Sequence, residues 1–95
     1  MMIFQLSFEF RRRIDGVVYY FHPCDPIGGK LSWKREDDNI WITYVEGFGW
    51  VCIDTEKVIC GVPWTVPLNK MGELPPKGEW ISKKGDKSYV YDLVY

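Results

Sequence analysis

Turn-forming residues punctuate this chain at short intervals, and no stretch between them carries the 3.6-residue apolar period of an amphipathic helix. Asp15-Gly16, Gly28-Gly29, Asp37-Asp38, Gly47-Phe48-Gly49, Thr55-Glu56-Lys57 and Gly85-Asp86 separate segments rich in Val, Ile, Tyr, Phe and Trp, the residues that fit a pleated, half-buried surface. The expectation is a mostly β fold of about eight short antiparallel strands in a meander, either a small barrel or a strongly curled sheet. Residues 1–95 are expected to form a single β domain with one hydrophobic core.

The pattern also predicts pairings. Phe4, Leu6, Phe8 and Phe10 alternate with Gln5, Ser7, Glu9 and Arg11, the period of a strand with one face wet. Asp15-Gly16 suits a type I′ hairpin, which places Ile14 opposite Val17 and Phe10 opposite Phe21. His22 to Lys30, with Pro23, Pro26 and Gly28-Gly29, reads as a loop and as the first candidate functional loop. A second hairpin joins Leu31–Arg35 to Ile40–Val45 and sets Trp33 opposite Ile42, Leu31 opposite Tyr44 and Lys34 beside Trp41.

Cys52 and Cys60 face each other if the turn before Val58 takes the longer form Thr55-Glu56-Lys57, and separate if it is Glu56-Lys57 alone. From Pro63 to Gly78 the prolines and glycines permit only short regular pieces, with room for one helical turn at Asn69–Glu73; lid, linker and packed structure are all open. Gly85-Asp86 suits a type II′ hairpin, and Tyr89, Tyr91, Leu93 and Tyr95 share a face behind it. Strands at both termini would close a barrel, or the strand ending at Tyr95 would remain an open edge able to pair with a second copy as a homodimer.

Composition excludes several functions. Twelve Lys and Arg against thirteen Asp and Glu give a net charge of -1, so no global field draws the chain to nucleic acid or to an anionic membrane. No apolar run reaches the length of a membrane-spanning helix, and the N-terminus lacks the features of a signal peptide. Three cysteines without a secretory signal point to reduced thiols and a cytoplasmic location.

The surplus is aromatic: five Trp, six Tyr and five Phe. Trp33, Trp41, Tyr44, Trp50, Trp64, Trp80, Tyr89 and Tyr91 are the candidate binding residues, lining the mouth of a curled sheet where a small apolar or planar ligand or a protein partner docks. The competing explanation for each ring is core packing. The functional expectation is a small non-catalytic binding or interaction module, with no cofactor, no metal and no assigned catalytic residue.

Two rivals stand beside it. His22, Cys24 and Asp25 hold the residue types of a thiol nucleophile with its base, and His22, Cys24, Cys52 and Cys60 those of a zinc site, but their spacing lacks the close cysteine pairs that zinc sites use. Arg11-Arg12-Arg13 near Tyr19 and Tyr20 has the ingredients for single-stranded nucleic acid, although strand alternation sends consecutive arginines to opposite faces. Lys83, Lys84 and Lys87 read as solubility and edge protection, and Glu36, Asp37 and Asp38 as a solvated turn. Gly28-Gly29-Lys30-Leu31-Ser32 lacks phosphate-loop spacing.

Gly47-Phe48-Gly49-Trp50 and the stretch Gly78 to Tyr95 resemble the orphan proteins encoded on bacterial integron gene cassettes, over about a third of the chain by the usual domain scale. Those proteins share no fold or activity. The resemblance implies a mobile bacterial origin and carries over no functional residue.

Overall fold

Alternating side chains and tight turns can satisfy every backbone group only if each strand finds two neighbours, and in this chain they do. The computed structural model describes residues 6–95. In it β1 (Phe8–Arg12), β2 (Val18–Ile27), β3 (Lys30–Arg35), β4 (Trp41–Val45), β5 (Gly49–Ile53), β6 (Ile59–Pro63), β7 (Gly78–Lys84) and β8 (Lys87–Val94) follow one another as an antiparallel meander. β1 pairs with β8, with Phe10 opposite Leu93 and Arg12 opposite Tyr91, so the sheet is a closed eight-stranded barrel. Closure occupies the edge of β8 that a second copy would have used. Phe4 lies outside the described residues, and these contain no helix long and apolar enough to cross a membrane.

An eight-stranded barrel leaves an interior just wide enough for side chains to fill, and here rings fill it. Phe8 and Phe10 from β1, Phe21 from β2, Trp33 from β3, Ile42 from β4, Trp50 and Cys52 from β5, Trp80 from β7, and Tyr91 and Leu93 from β8 form one buried cluster. Phe8 stacks on Phe21 with centroids 5.3 Å apart, Phe10 on Tyr91 at 5.4 Å, and Trp33 meets Trp50 edge-on at 5.8 Å. Each such pair contributes about 0.5–1.5 kcal/mol beyond the area it buries.

Two local expectations need correction. In the first hairpin Phe8, not Phe10, faces Phe21, and Phe10 faces Tyr19. The cause is Asp15: a type I′ turn would require a positive φ there, yet Lys57 is the one non-glycine described residue with one. Asp15 instead accepts hydrogen bonds from the Val17 amide and the Arg12 guanidinium, and the loop lengthens to residues 13–16, leaving Ile14 exposed. The shift is two residues, so every side chain keeps its face.

The second correction concerns His22–Lys30. β2 continues through the prolines to Ile27, with Pro23 opposite Trp33 and Cys24 opposite Ser32, and only Gly28-Gly29 turns, with φ of 57° and 78°. The pairing is irregular between Cys24 and Ile27, where Pro26 has no N–H to donate, and the Ile27 amide donates to Ser32 Oγ at 3.2 Å.

Elsewhere the pattern holds. Trp33 faces Ile42 and Lys34 faces Trp41, the Lys34 ammonium lying 5.8 Å from the indole. One exception follows the turn Thr55-Glu56-Lys57: it takes the longer form, Asp54 closing on Val58, yet Cys52 faces Gly61 and not Cys60, because a bulge after the Ile53–Ile59 pair leaves Cys60 as the extra residue. Lys84 faces Lys87, and Gly85 alone carries a positive φ in that turn, as type II′ requires.

Residues 64–77 are mostly exposed, but Pro75 is buried and Met71 and Pro76 half-buried against the barrel. A 3₁₀ turn at Leu68–Lys70 leads the chain across one barrel end. There Trp50 Nε1 donates to the Gly72 carbonyl at 3.0 Å, Trp80 Nε1 to Pro76 at 2.9 Å and the Tyr95 hydroxyl to Pro75 at 2.7 Å. Buried indoles need acceptors, and the proline-rich segment presents carbonyls that no ladder claims. It is a plug.

Candidate functional site

At the end of the barrel opposite residues 64–77 the interior meets solvent. The residues there share the inward parity of the core: Arg12 follows Phe8 and Phe10, Arg35 follows Trp33, Tyr19 precedes Phe21 and Tyr89 precedes Tyr91. Inward positions thus change from apolar to charged at the mouth end of β1 and β3, and stay aromatic on β2 and β8. A cavity of about 240 Å³ opens there, with Phe10, Phe21, Cys52 and Tyr91 as its floor and Tyr19 and Tyr89 as walls. Arg12, Arg35, Asp38, Asp54, Lys83 and Lys84 stand around it.

The two arginines are held tightly. Arg12 donates from Nε and Nη2 to the Asp15 carboxylate at 3.0 and 2.7 Å, and from Nη1 to the Tyr19 hydroxyl at 3.4 Å. Arg35 donates from Nε to Asp37 at 2.7 Å and from Nη2 to Asp38 at 3.4 Å. Both salt bridges leave Nη1 out of them. The guanidinium carbon of Arg35 lies 4.0 Å from the Tyr19 ring centroid, and that of Arg12 4.9 Å from Tyr89, so each cation also rests on an aromatic face.

The nucleophiles of the mouth are quiet. Burial pushes the Cys52 thiol well above its ordinary value, and burial followed by the nearby Asp54 carboxylate pushes Cys60 up. Burial likewise raises Tyr91, against the pull of Arg12. These groups stay protonated at neutral pH, so the cavity offers donors and apolar surface but no thiolate.

The eight candidate aromatics go to different places. Trp33, Trp50 and Trp80 are sealed in the core. Tyr89 and Tyr91 line the mouth. Tyr44 sits half-buried edge-on to Trp50, and Trp41 lies beside Lys34 on the outer face. Trp64 is 58% exposed just beyond β6. Mouth residues outside the eight candidates include Arg12, Arg35, Tyr19 and Phe21; the signal for Arg35 is a charge on the parity of a buried tryptophan.

His22, Cys24 and Asp25 do not converge. His22 points outward, its Nδ1 2.9 Å from Ser7 Oγ and its Nε2 3.3 Å from Glu36, which uses both ring nitrogens. Cys24 Sγ is directed at the Asp25 carbonyl, and burial followed by Asp25 raises its pKa. Among the described residues no group of three or more His, Cys, Asp or Glu side chains is placed to hold a metal ion. The three consecutive arginines separate too: Arg11 bonds Glu9, Arg12 turns to the mouth, and Arg13 pairs with Asp92 and Glu79 across β8 and β7.

These features define a class, the antiparallel meander barrel plugged at one end and open at the other. Comparisons with known protein families, with curated proteins and with solved structures return no match.

Proposed function

We propose that this protein is a non-catalytic binding module that takes a small ring-containing molecule into the open end of its barrel. The observation that carries the reading is the cavity of about 240 Å³ whose floor is aromatic and whose rim is charged. Ligand sites have this composition: mostly apolar walls with a few fixed polar groups. Three unpaired thiols support a reducing compartment such as the cytoplasm. The test is a set of ¹H–¹⁵N spectra recorded with single-ring aromatic compounds. Shifts grouped at the amides of Tyr19, Cys60 and Tyr89 are expected; a spectrum unmoved by every compound would remove the reading.

A second reading has its own observation. Val58, Ile59, Val62 and Trp64 are all exposed along and beside β6, an apolar strip that suits a protein partner or a second copy. Light scattering separates the two: a dimer that Trp64→Ala returns to monomer would place binding on the outer face.

A further inference from the structure

The mouth holds two arginines on the inward parity of the core, each bonded to carboxylates of its own hairpin turn. Arg11 and Arg13, on the same strand and the loop after it, keep about half their side-chain surface in water at 54% and 52%, whereas Arg12 and Arg35 keep 19% and 20%. Withdrawing a charge from water is costly unless it is paired, and here the pairing comes from carboxylates of adjacent hairpin turns. Asp15 and Asp37 take the Nε side of each guanidinium. That arrangement fixes the groups and leaves Nη1 outside the salt bridges, on the Tyr19 hydroxyl at 3.4 Å in Arg12, so donors are oriented before any ligand arrives.

We infer that the ligand of the open mouth is a small planar acid, one carboxylate on a single ring, with the carboxylate at Arg12 and Arg35 and the ring on the floor formed by Phe10, Phe21 and Tyr91. The inference rests on the reading of the mouth as a ligand site and adds the chemical class.

Three observations select that class. Guanidinium donors match the planar, two-oxygen geometry of a carboxylate, and a positive ligand would meet like charge. Asp38 and Asp54 share the rim, so a polyanion would meet two carboxylates on entry while a monoanion has enough cationic surface to offset them. The cavity, at about 240 Å³, is smaller than the roughly 300 Å³ at which sites for drug-sized ligands begin, which restricts the occupant to one ring. Charge-assisted bonds formed away from bulk water are about twice as strong as neutral ones, so the acid group should dominate selectivity.

The experiment titrates benzoate, benzamide and inorganic phosphate into the protein and into its Arg35→Gln variant, following the Tyr19, Cys60 and Tyr89 amides. Benzoate is expected to bind at least about tenfold more tightly than benzamide, a difference of about 1.4 kcal/mol. In Arg35→Gln the preference for benzoate over benzamide should disappear, with the dispersion of the amide spectrum reporting separately that the variant is folded. Should that variant not fold, Arg12→Gln and the salt dependence of the wild-type protein replace it, with benzoate but not benzamide weakened by added salt.

Equal binding of benzoate and benzamide leaves the ligand site standing and overturns the acid. Phosphate binding as tightly as benzoate overturns the ring. If neither ring compound moves the mouth amides, the ligand-site reading itself falls and this inference with it.

Discussion

Single side chains decide how the two barrel ends differ. At the plugged end Trp80 is fully buried and its indole donates to Pro76. Replacing it with Phe keeps most of the ring but orphans that carbonyl, and urea unfolding should show a loss of about 1–3 kcal/mol; Trp80→Ala should lose about 3–5 kcal/mol. At the open end the titrating groups work in opposite directions. Arg12 holds the Asp15 carboxyl below its ordinary value, and Arg13 does the same to Asp92. A depressed carboxyl stabilises the fold above its unfolded value of 3.8 and loses that contribution as pH falls through the lower folded value.

Cys52, Cys60, Tyr91 and Tyr95 are raised by burial, Tyr95 to about 12. For these acids the unfolded chain releases its protons first, so stability falls as pH rises above their ordinary values of 9 to 10. A melting temperature flat through neutrality and falling both below about pH 4 and above about pH 9 is therefore expected. A profile that keeps rising in alkali would contradict the burial of these groups. The mouth was only partly legible at this scale. Tyr89 and Tyr91 stand out by ring content, but Arg35 looks like an ordinary hairpin-end cation until its parity with Trp33 is set inside a closed wall.

Among the strands and turns, glycine chemistry is the sharpest probe. Gly49, which opens β5, has a φ of 83°, and a Cβ there would overlap the Met71 sulfur of the plug. Gly29 has a similar φ of 78° with open space around it. Gly29→Ala should cost about 1–2 kcal/mol from backbone strain alone, and Gly49→Ala more, since the Met71 side chain must also move aside. Thermal denaturation ranks the two, and equal losses would mean that the plug does not press on β5.

The hairpins show which local signals suffice. The second hairpin follows from its side-chain pattern because a one-residue slip would bring Trp33 opposite Thr43. The first does not, since Asp15 acts through its carboxylate rather than its backbone. β2 outruns its expected end because Pro26 falls where the ladder is already irregular, while Pro23 is accommodated opposite Trp33.

For the whole molecule, closure is the central fact. β8 pairs with β7 along its length and with β1 beyond Val90, and the seam joins residues almost a chain length apart. Removing Tyr91 to Tyr95 takes away the β1 seam, the Tyr91 floor and the Tyr95 bond to the plug together. Such a truncation should abolish cooperative unfolding by circular dichroism and collapse the amide dispersion by NMR; a folded truncated chain would show that the barrel survives opening.

What the amino-acid sequence determined by itself was local: the strand count, the positions of most turns, and which face each side chain takes, because period-two alternation and turn chemistry act within a few residues. Whether the sheet closes, which end is plugged, which tryptophans are sealed and which charges share a mouth were decided by tertiary structure. Those outcomes depend on pairings and carbonyl partners far apart in the chain, and no local pattern encodes a partner that closure alone brings near.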